Sequence, residues 1–173
     1  GAAAIDAIKG KSNMNIFVLH PHNKISNVQR KLMSTVKEKN VFNIAVEGNF
    51  DDCQNLVKSM FSDKEFSNSI NMSGVNSINW ARIIAQSVYY FYSYFLVKDD
   101  RPVNFSVPTG NFGDIYAGYL SKKMGLPINK LIVATNQNDI LNRAISKGRY
   151  EVETVCETIS PSMDIQIASN FER

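Results

Sequence analysis

Val103-Asn-Phe-Ser-Val-Pro-Thr-Gly-Asn-Phe-Gly-Asp-Ile-Tyr-Ala-Gly-Tyr119 is the stretch whose reading decides the fold. Val103 to Val107 is short, apolar and β-prone, and it predicts a strand. A glycine-bearing loop, Pro108 to Asp114, follows at once, and a helix is predicted from about Ile115 to Met124, stopped by Gly125-Leu126-Pro127. Strand, tight loop and helix in immediate succession are half of a βαβ unit, and hence of a parallel sheet. Gly110 and Gly113 allow positive φ and leave out side chains where backbone must approach a ligand. Because the loop opens a helix, successive N–H groups and the positive end of the helix dipole converge on one spot, a geometry that holds a phosphate. Glycines in such turns also serve packing alone, so the loop by itself leaves both readings open. It is neither a Walker A loop, which needs Gly-Lys-Ser/Thr, nor a Gly-x-Gly-x-x-Gly dinucleotide turn.

Outward from the loop the same alternation recurs. Leu131 to Ala134 is the next strand, and Asn138 or Asp139 caps the helix after it; beyond Tyr150 periodicity fades and Ser160-Pro161-Ser162 marks a loop. Upstream, Lys98 to Pro102 reads as a turn. Before it a helix from about Asn79 to Phe95, with Val88, Tyr89, Tyr90, Phe91, Tyr92, Tyr94 and Phe95, reads as a central helix buried on all sides, though Arg82, Gln86 and Ser93 make it too polar and too short to span a membrane. Residues 1–66 read helix–strand–helix–strand–helix: a helix over Gly1 to Lys9, a strand over Asn15 to Leu19 broken by His20-Pro21-His22-Asn23, a helix over Ile25 to Lys37, a strand over Val41 to Val46, and a helix to about Phe61 capped by Asn49 or Asp51 and burying Phe50, Leu56, Val57 and Met60. The class is α/β, mostly parallel sheets flanked by helices. A joint falls near residues 63–78, in an Asn- and Ser-rich stretch hinged at Gly74.

Composition narrows the classes. The 173 residues are 44% hydrophobic and 20% charged, which excludes disorder and fibrous repeats. A net charge of +3, scattered along the chain, argues against a nucleic-acid binder. Cys53 and Cys156 lie far apart with no Cys or His cluster, so no metal site or disulfide is implied, and both read as buried thiols in a reducing compartment. The opening Gly-Ala-Ala-Ala-Ile carries no signal-peptide pattern, and neither end looks like a natural terminus, so a piece of something larger is expected.

Val107 to Tyr119, continued by Lys123-Met-Gly-Leu-Pro127 and Leu131-Ile-Val-Ala-Thr-Asn-x-Asn-Asp-Ile-Leu141, strongly resembles the threonine synthase family. So do Leu19-x-Pro-His22 with Lys24-Ile-Ser, Glu47-Gly-Asn-Phe-Asp-Asp-Cys-Gln54, Asn76-Ser-Ile-Asn-Trp-Ala-Arg82 and Ser160-Pro-Ser-Met-Asp-Ile-Gln-Ile167, in the family's own order over essentially the whole chain. The resemblance implies a pyridoxal 5'-phosphate enzyme of the tryptophan-synthase-β-like fold type, with parts of two three-layer αβα domains. Residues 1–66 would be the remainder of the smaller cofactor-flanking domain, and residues 67–173 the first part of the larger domain that carries the cofactor-phosphate loop. It implies a cytoplasmic lyase of threonine biosynthesis that converts O-phosphohomoserine and water into L-threonine and phosphate.

Carried over position by position, Gly110, Asn111, Phe112, Gly113 and Asp114 match the loop that grips the cofactor phosphate. Ser77 and Arg82 match positions that engage the substrate's phosphate or carboxylate, with Asn79 and Asn111 as neighbouring candidates. The Asp114 carboxylate is awkward beside a phosphate dianion and is expected to turn toward the helix cap or solvent. The Schiff-base lysine is expected upstream of Gly1 and the group facing the pyridine nitrogen beyond Arg173, so no catalytic residue is assigned, and the partners are the small-molecule substrate and the remainder of the enzyme chain. His20 and His22 have no nucleophile to serve, and Asp51-Asp52 reads as a helix cap rather than a metal site. Lys24 is not placed at the cofactor. The alternative is a non-catalytic threonine-synthase-like or phosphate-binding α/β module.

Overall fold

The computed structural model of the chain describes residues 1–97 and 101–173, so the Lys98-Asp99-Asp100 part of the expected turn lies outside the described residues. They form two compact units, Gly1–Met72 and Ser73–Arg173, each built around a two-stranded parallel sheet.

The first unit runs α1 (Ala2–Ile8), β1 (Ile16–Pro21), α2 (Asn27–Ser34), β2 (Val41–Val46), α3 (Phe50–Ser62) and α4 (Lys64–Ser69). β1 and β2 pair in parallel from Ile16 opposite Val41 to Pro21 opposite Val46. Their core gathers Ile5, Ile16 and Met33, with Ile8, Val18, Val36 and Val41 around it. The Asn40 side chain fastens the end of α1 to the start of β1: its Nδ2 donates to the Ile8, Lys11 and Met14 carbonyls and its Oδ1 accepts from the Gly10 N–H.

Several expectations for this unit are revised. His20-Pro21 ends β1 instead of breaking it, because the N–H groups of Ile16 and His22 point to β2 and the alternation leaves the N–H that proline lacks on the open edge of the two-stranded sheet. α2 stops at Ser34, and α4, capped by Asp63 on the Phe66 N–H, is an additional helix in the predicted joint. α3 carries a capping box in which Asn49 and Asp52 exchange side-chain and main-chain bonds. Its buried residue is Cys53; Leu56 is exposed, and Phe50, Val57 and Met60 are half-buried.

The second unit runs α5 (Trp80–Val97), β3 (Val103–Pro108), α6 (Gly113–Lys123), β4 (Ile128–Ala134), α7 (Ile140–Lys147) and a single 3-10 turn at Pro161–Met163. β3 and β4 pair in parallel. Ile83, Tyr90, Ala117, Leu126 and Ile128 form its core, where α5 and α6 pack on the sheet. α6 ends in a Schellman arrangement, the Leu126 N–H reaching the Ser121 carbonyl and the Gly125 N–H the Lys122 carbonyl. α5 is not buried on all sides. Ile83, Ser87 and Tyr90 face the core, while Val88, Tyr89, Tyr92 and Phe95 are exposed, Tyr89 by 71%. Its aromatic density is thus two faces read as one. Cys156 is exposed rather than buried. Among the described residues no helix is long and apolar enough to cross a membrane.

Candidate functional site: the loop at the start of α6

β3 delivers the chain into Thr109, whose N–H continues the ladder to the Ala134 carbonyl. The Thr109 side chain then closes the loop: its hydroxyl accepts from the Phe112 N–H and donates to Asp114 Oδ1, which also accepts from the Ile115 N–H. The Asp114 carboxylate is therefore turned into the loop and the first turn of α6. Tyr90 on α5 adds a second tie, its hydroxyl donating to the Asp114 carbonyl at 2.7 Å. Burial first, and the Asp114 carboxylate second, push the Tyr90 phenol far above its ordinary range, which keeps it a donor.

The conformational burden falls on an unexpected residue. Phe112, the N-cap of α6, holds the left-handed geometry at φ 67°, and neither Gly110 nor Gly113 has positive φ. The strain at Phe112 is held by its ring, which meets Phe171 edge-on at 5.1 Å, with Phe171 stacked on Tyr150 at 5.3 Å. The glycines serve close approach instead. A Cβ on Gly113 would lie 2.8 Å from Ile83 Cδ1 and 3.1 Å from both Ser77 Cβ and Asn170 Nδ2; one on Gly110 would lie 3.1 Å from Ile165 Cδ1.

With the loop closed in this way, the N–H groups of Gly110, Asn111, Gly113 and Asp114 have no acceptor among the described residues. Four free donors at the N-terminus of an 11-residue helix suit an oxyanion. Behind them, the Asn170 N–H donates to the Asn111 carbonyl and the Ser169 hydroxyl to Asn111 Oδ1.

The other sequence-predicted residues fare differently. Ser77 is half-buried and lies against Gly113. Asn79 has both ends of its amide engaged in the turn before α5, Nδ2 on the Gly74 carbonyl and Oδ1 on the Ala81 N–H. Arg82 is exposed on α5, and its guanidinium has no hydrogen bond or ion pair among the described residues. His22 pairs with Glu47 at 2.7 Å in the first unit, where both are exposed. Among the described residues no group of His, Cys, Asp and Glu side chains could hold a metal ion. Two shallow depressions, one bordered by Glu47 and Asp52 and one by Tyr119 and Lys122, include no residue of the loop.

Sequence reasoning missed four contributors. Thr109 closes the loop and holds Asp114, five residues on, a pattern that the glycines obscured. Tyr90 was hidden in an aromatic run. Asn170 and Arg173 carry no local signal, yet Arg173 Nε donates to Asn170 Oδ1, its Nη2 to the Ile78 carbonyl, and its guanidinium lies 5.4 Å over the Trp80 ring. A positive charge thus braces the turn that carries Ser77.

The chain matches no family model. It is 56% identical over its whole length to threonine synthase of Pseudomonas aeruginosa, of which it spans 37%, and 54% identical to that of Saccharomyces cerevisiae, of which it spans 34%. In structure it matches threonine synthase from Escherichia coli with a TM-score of 0.93 at 38% identity, covering 98% of this chain and 40% of that one. It matches the PLP-bound threonine synthase from Brucella melitensis with a TM-score of 0.82 at 57% identity, covering 99% of this chain and 37% of that one. Over its whole length, then, the chain is homologous to part of threonine synthase.

Proposed function

We propose that this chain contributes the cofactor-phosphate loop and part of the substrate site to a threonine synthase, which converts O-phosphohomoserine and water into L-threonine and phosphate. The observation that carries the reading is the set of four free main-chain donors at Gly110, Asn111, Gly113 and Asp114, in a chain 56% identical to a threonine synthase. They fit pyridoxal phosphate because they are neutral, preorganised and closely approachable, and because Asp114 Oδ1 is already occupied by Thr109 and Ile115. Bound there, the cofactor supplies an electron sink for bond breaking at the substrate amine's carbon chain. The chain's own residues bind and orient. The loop holds one phosphate. Ser77, beside Gly113, offers a hydroxyl to the substrate's oxyanions, and Arg82 offers a bidentate guanidinium that no described neighbour occupies. Asn111, in the loop itself, offers a further contact, and Asn79 shapes the turn before α5.

The Schiff-base lysine and the partner of the pyridine nitrogen are assigned to no residue of this chain, so the 173 residues alone bind without turnover. Residues 1–66 belong to the smaller domain and residues 67–173 to the larger. Two features support a larger assembly. Parallel sheets are ordinarily covered on both faces, yet Phe17 and Phe42 stack at 4.7 Å on an exposed face of the first sheet. The outer face of α5 is likewise apolar and open. The remaining length of the enzyme covers both.

The test is phosphate and threonine formation from O-phosphohomoserine with pyridoxal phosphate, in the full-length polypeptide that carries this chain and in the 173 residues alone. Activity in the first and none in the second is expected. Binding of pyridoxal phosphate without turnover in the full-length polypeptide would favour a phosphate-binding module, and turnover by the 173 residues would overturn the assignment of the lysine.

A further inference from the structure

We propose that Asp164 is a positioning residue for the phosphate loop, acting from behind it. The inference rests on reading Thr109 to Asp114 as that loop. Asp164 is only 8% exposed. Its Oδ1 accepts from Asn136 Nδ2 at 2.8 Å, Asn138 Nδ2 at 3.2 Å and the Thr158 hydroxyl at 2.6 Å, and its Oδ2 accepts from the Thr158 N–H at 2.8 Å. All of these donors are neutral.

The residues on either side of Asp164 form the floor under Gly110. Ile165 Cδ1 lies 3.1 Å and the Met163 Cα 3.4 Å from the place a Gly110 Cβ would take. Asn136 and Asn138 follow directly on β4, the strand paired with the β3 that leads into the loop. The carboxylate therefore bolts the segment under Gly110 to the same sheet that presents the loop. Cys156 is drawn into the bolt, since Asn138 bridges its N–H and carbonyl at 2.8 Å each.

The chemistry of the group matters as much as its place. Four donors converging on two oxygens need an acceptor-only side chain. An amide there would keep one oxygen but turn an NH2 toward the Thr158 N–H or toward the asparagine amides. A buried carboxylate without a cation is an expensive fastener, and what it provides is a clamp defined in direction at both oxygens. Loosening it lets Met163 and Ile165 drift and releases Gly110 from its place beside the anion.

The test compares two ligands in the full-length polypeptide that carries this chain: pyridoxal phosphate, and pyridoxal, which lacks the phosphate. Asp164→Asn is expected to weaken pyridoxal phosphate about tenfold or more, as outer supporting groups do at other sites, and to leave pyridoxal unchanged. Thr158→Val keeps the shape but removes the hydroxyl that donates to Asp164 and accepts from the Ser160 N–H and Asn136 Nδ2; it is expected to weaken pyridoxal phosphate about threefold or more, again leaving pyridoxal alone. Undiminished affinity for pyridoxal phosphate in folded Asp164→Asn would overturn the proposal, and so would equal losses for both ligands, which mark a general scaffold role. If Asp164→Asn does not fold, Thr158→Val decides by the same two criteria. A wild-type protein that binds both ligands equally would overturn the phosphate-loop reading itself, and this inference with it.

Discussion

The Tyr90 hydroxyl on α5 donates to the Asp114 main-chain carbonyl on α6 at 2.7 Å, so one side chain both fills the core and fixes the first turn of α6. Its ring packs edge-on to Phe105 at 4.9 Å and against Gly118, where an added Cβ would come within 2.6 Å of it. Tyr90→Phe keeps the packing and removes the bond. Since the first turn of α6 retains the Thr109 and Ile115 contacts of Asp114, the loss is expected near 1 kcal/mol in a urea titration. Tyr90→Ala opens a cavity as well and is expected to cost about 3–5 kcal/mol. A Phe variant as damaged as the Ala variant would contradict this division between bond and packing.

Gly113 is required by space. Its alanine variant must displace Ile83, Ser77 or Asn170. Overpacking of this kind costs about 1–3 kcal/mol, and because Gly113 opens α6 the variant is expected to weaken pyridoxal phosphate as well. Gly125 is the control. At φ +104° with nothing within 4 Å of an added Cβ, its alanine variant is strained but not crowded; it is expected to lose about 1–2 kcal/mol of stability with phosphate affinity intact. Parallel thermal melts and ligand titrations separate the two effects.

These glycines show where sequence reasoning reached and where it stopped. The strand, loop and helix at 103–124 were legible because a period of two gives way to a helical period across a glycine turn, and the β2 span, Val41–Val46, was legible for its β-prone apolar run. What each glycine is for was not, since the atoms that crowd Gly113 come from Ser77, Ile83 and Asn170, distant in sequence. The left-handed residue proved to be Phe112, whose cost is met by Phe171. The open face of α5 was misread because density of aromatic residues reports hydrophobicity, not what covers it. Asp164 and Thr158 lie in a stretch without periodicity, where side-chain bonds and one short 3-10 turn give the backbone its course.

Arg143 predicts a pH dependence. Its Nε contacts Asp139 Oδ1 at 2.9 Å and its Nη1 Glu153 Oε1 at 2.9 Å, while Nη2 donates to Gln166 Oε1. The Arg143 hydrogen bond is the main cause that lowers the Asp139 carboxyl below its usual value. A depressed folded pKa contributes stability that is present above the unfolded value of about 4 and is lost as pH falls through the folded one. Asp139 is largely solvated, so its share is expected to stay under about 1 kcal/mol. Arg143→Met should therefore lower the melting temperature at pH 7, and the gap from wild type should narrow as the pH drops below about 4. A gap that widens on acidification would show that the pair is not the source.

Arg82 separates substrate binding from cofactor binding. It is exposed on α5 and makes no described ion pair, so Arg82→Ala is expected to change stability by less than about 0.5 kcal/mol. If its guanidinium grips the substrate's phosphate, the same variant raises KM for O-phosphohomoserine in the full-length enzyme by about tenfold or more, because a charge-assisted bidentate contact is lost. Arg82→Lys restores the charge but not the fork, and should recover only part of that loss. Inorganic phosphate as a competing ligand should weaken in parallel, and the loss in wild type should grow with ionic strength. Affinity for pyridoxal phosphate should stay constant across all three proteins. A fall in cofactor affinity that tracks the rise in KM would place Arg82 at the loop's phosphate instead, and an unchanged KM would return it to the ordinary surface of α5.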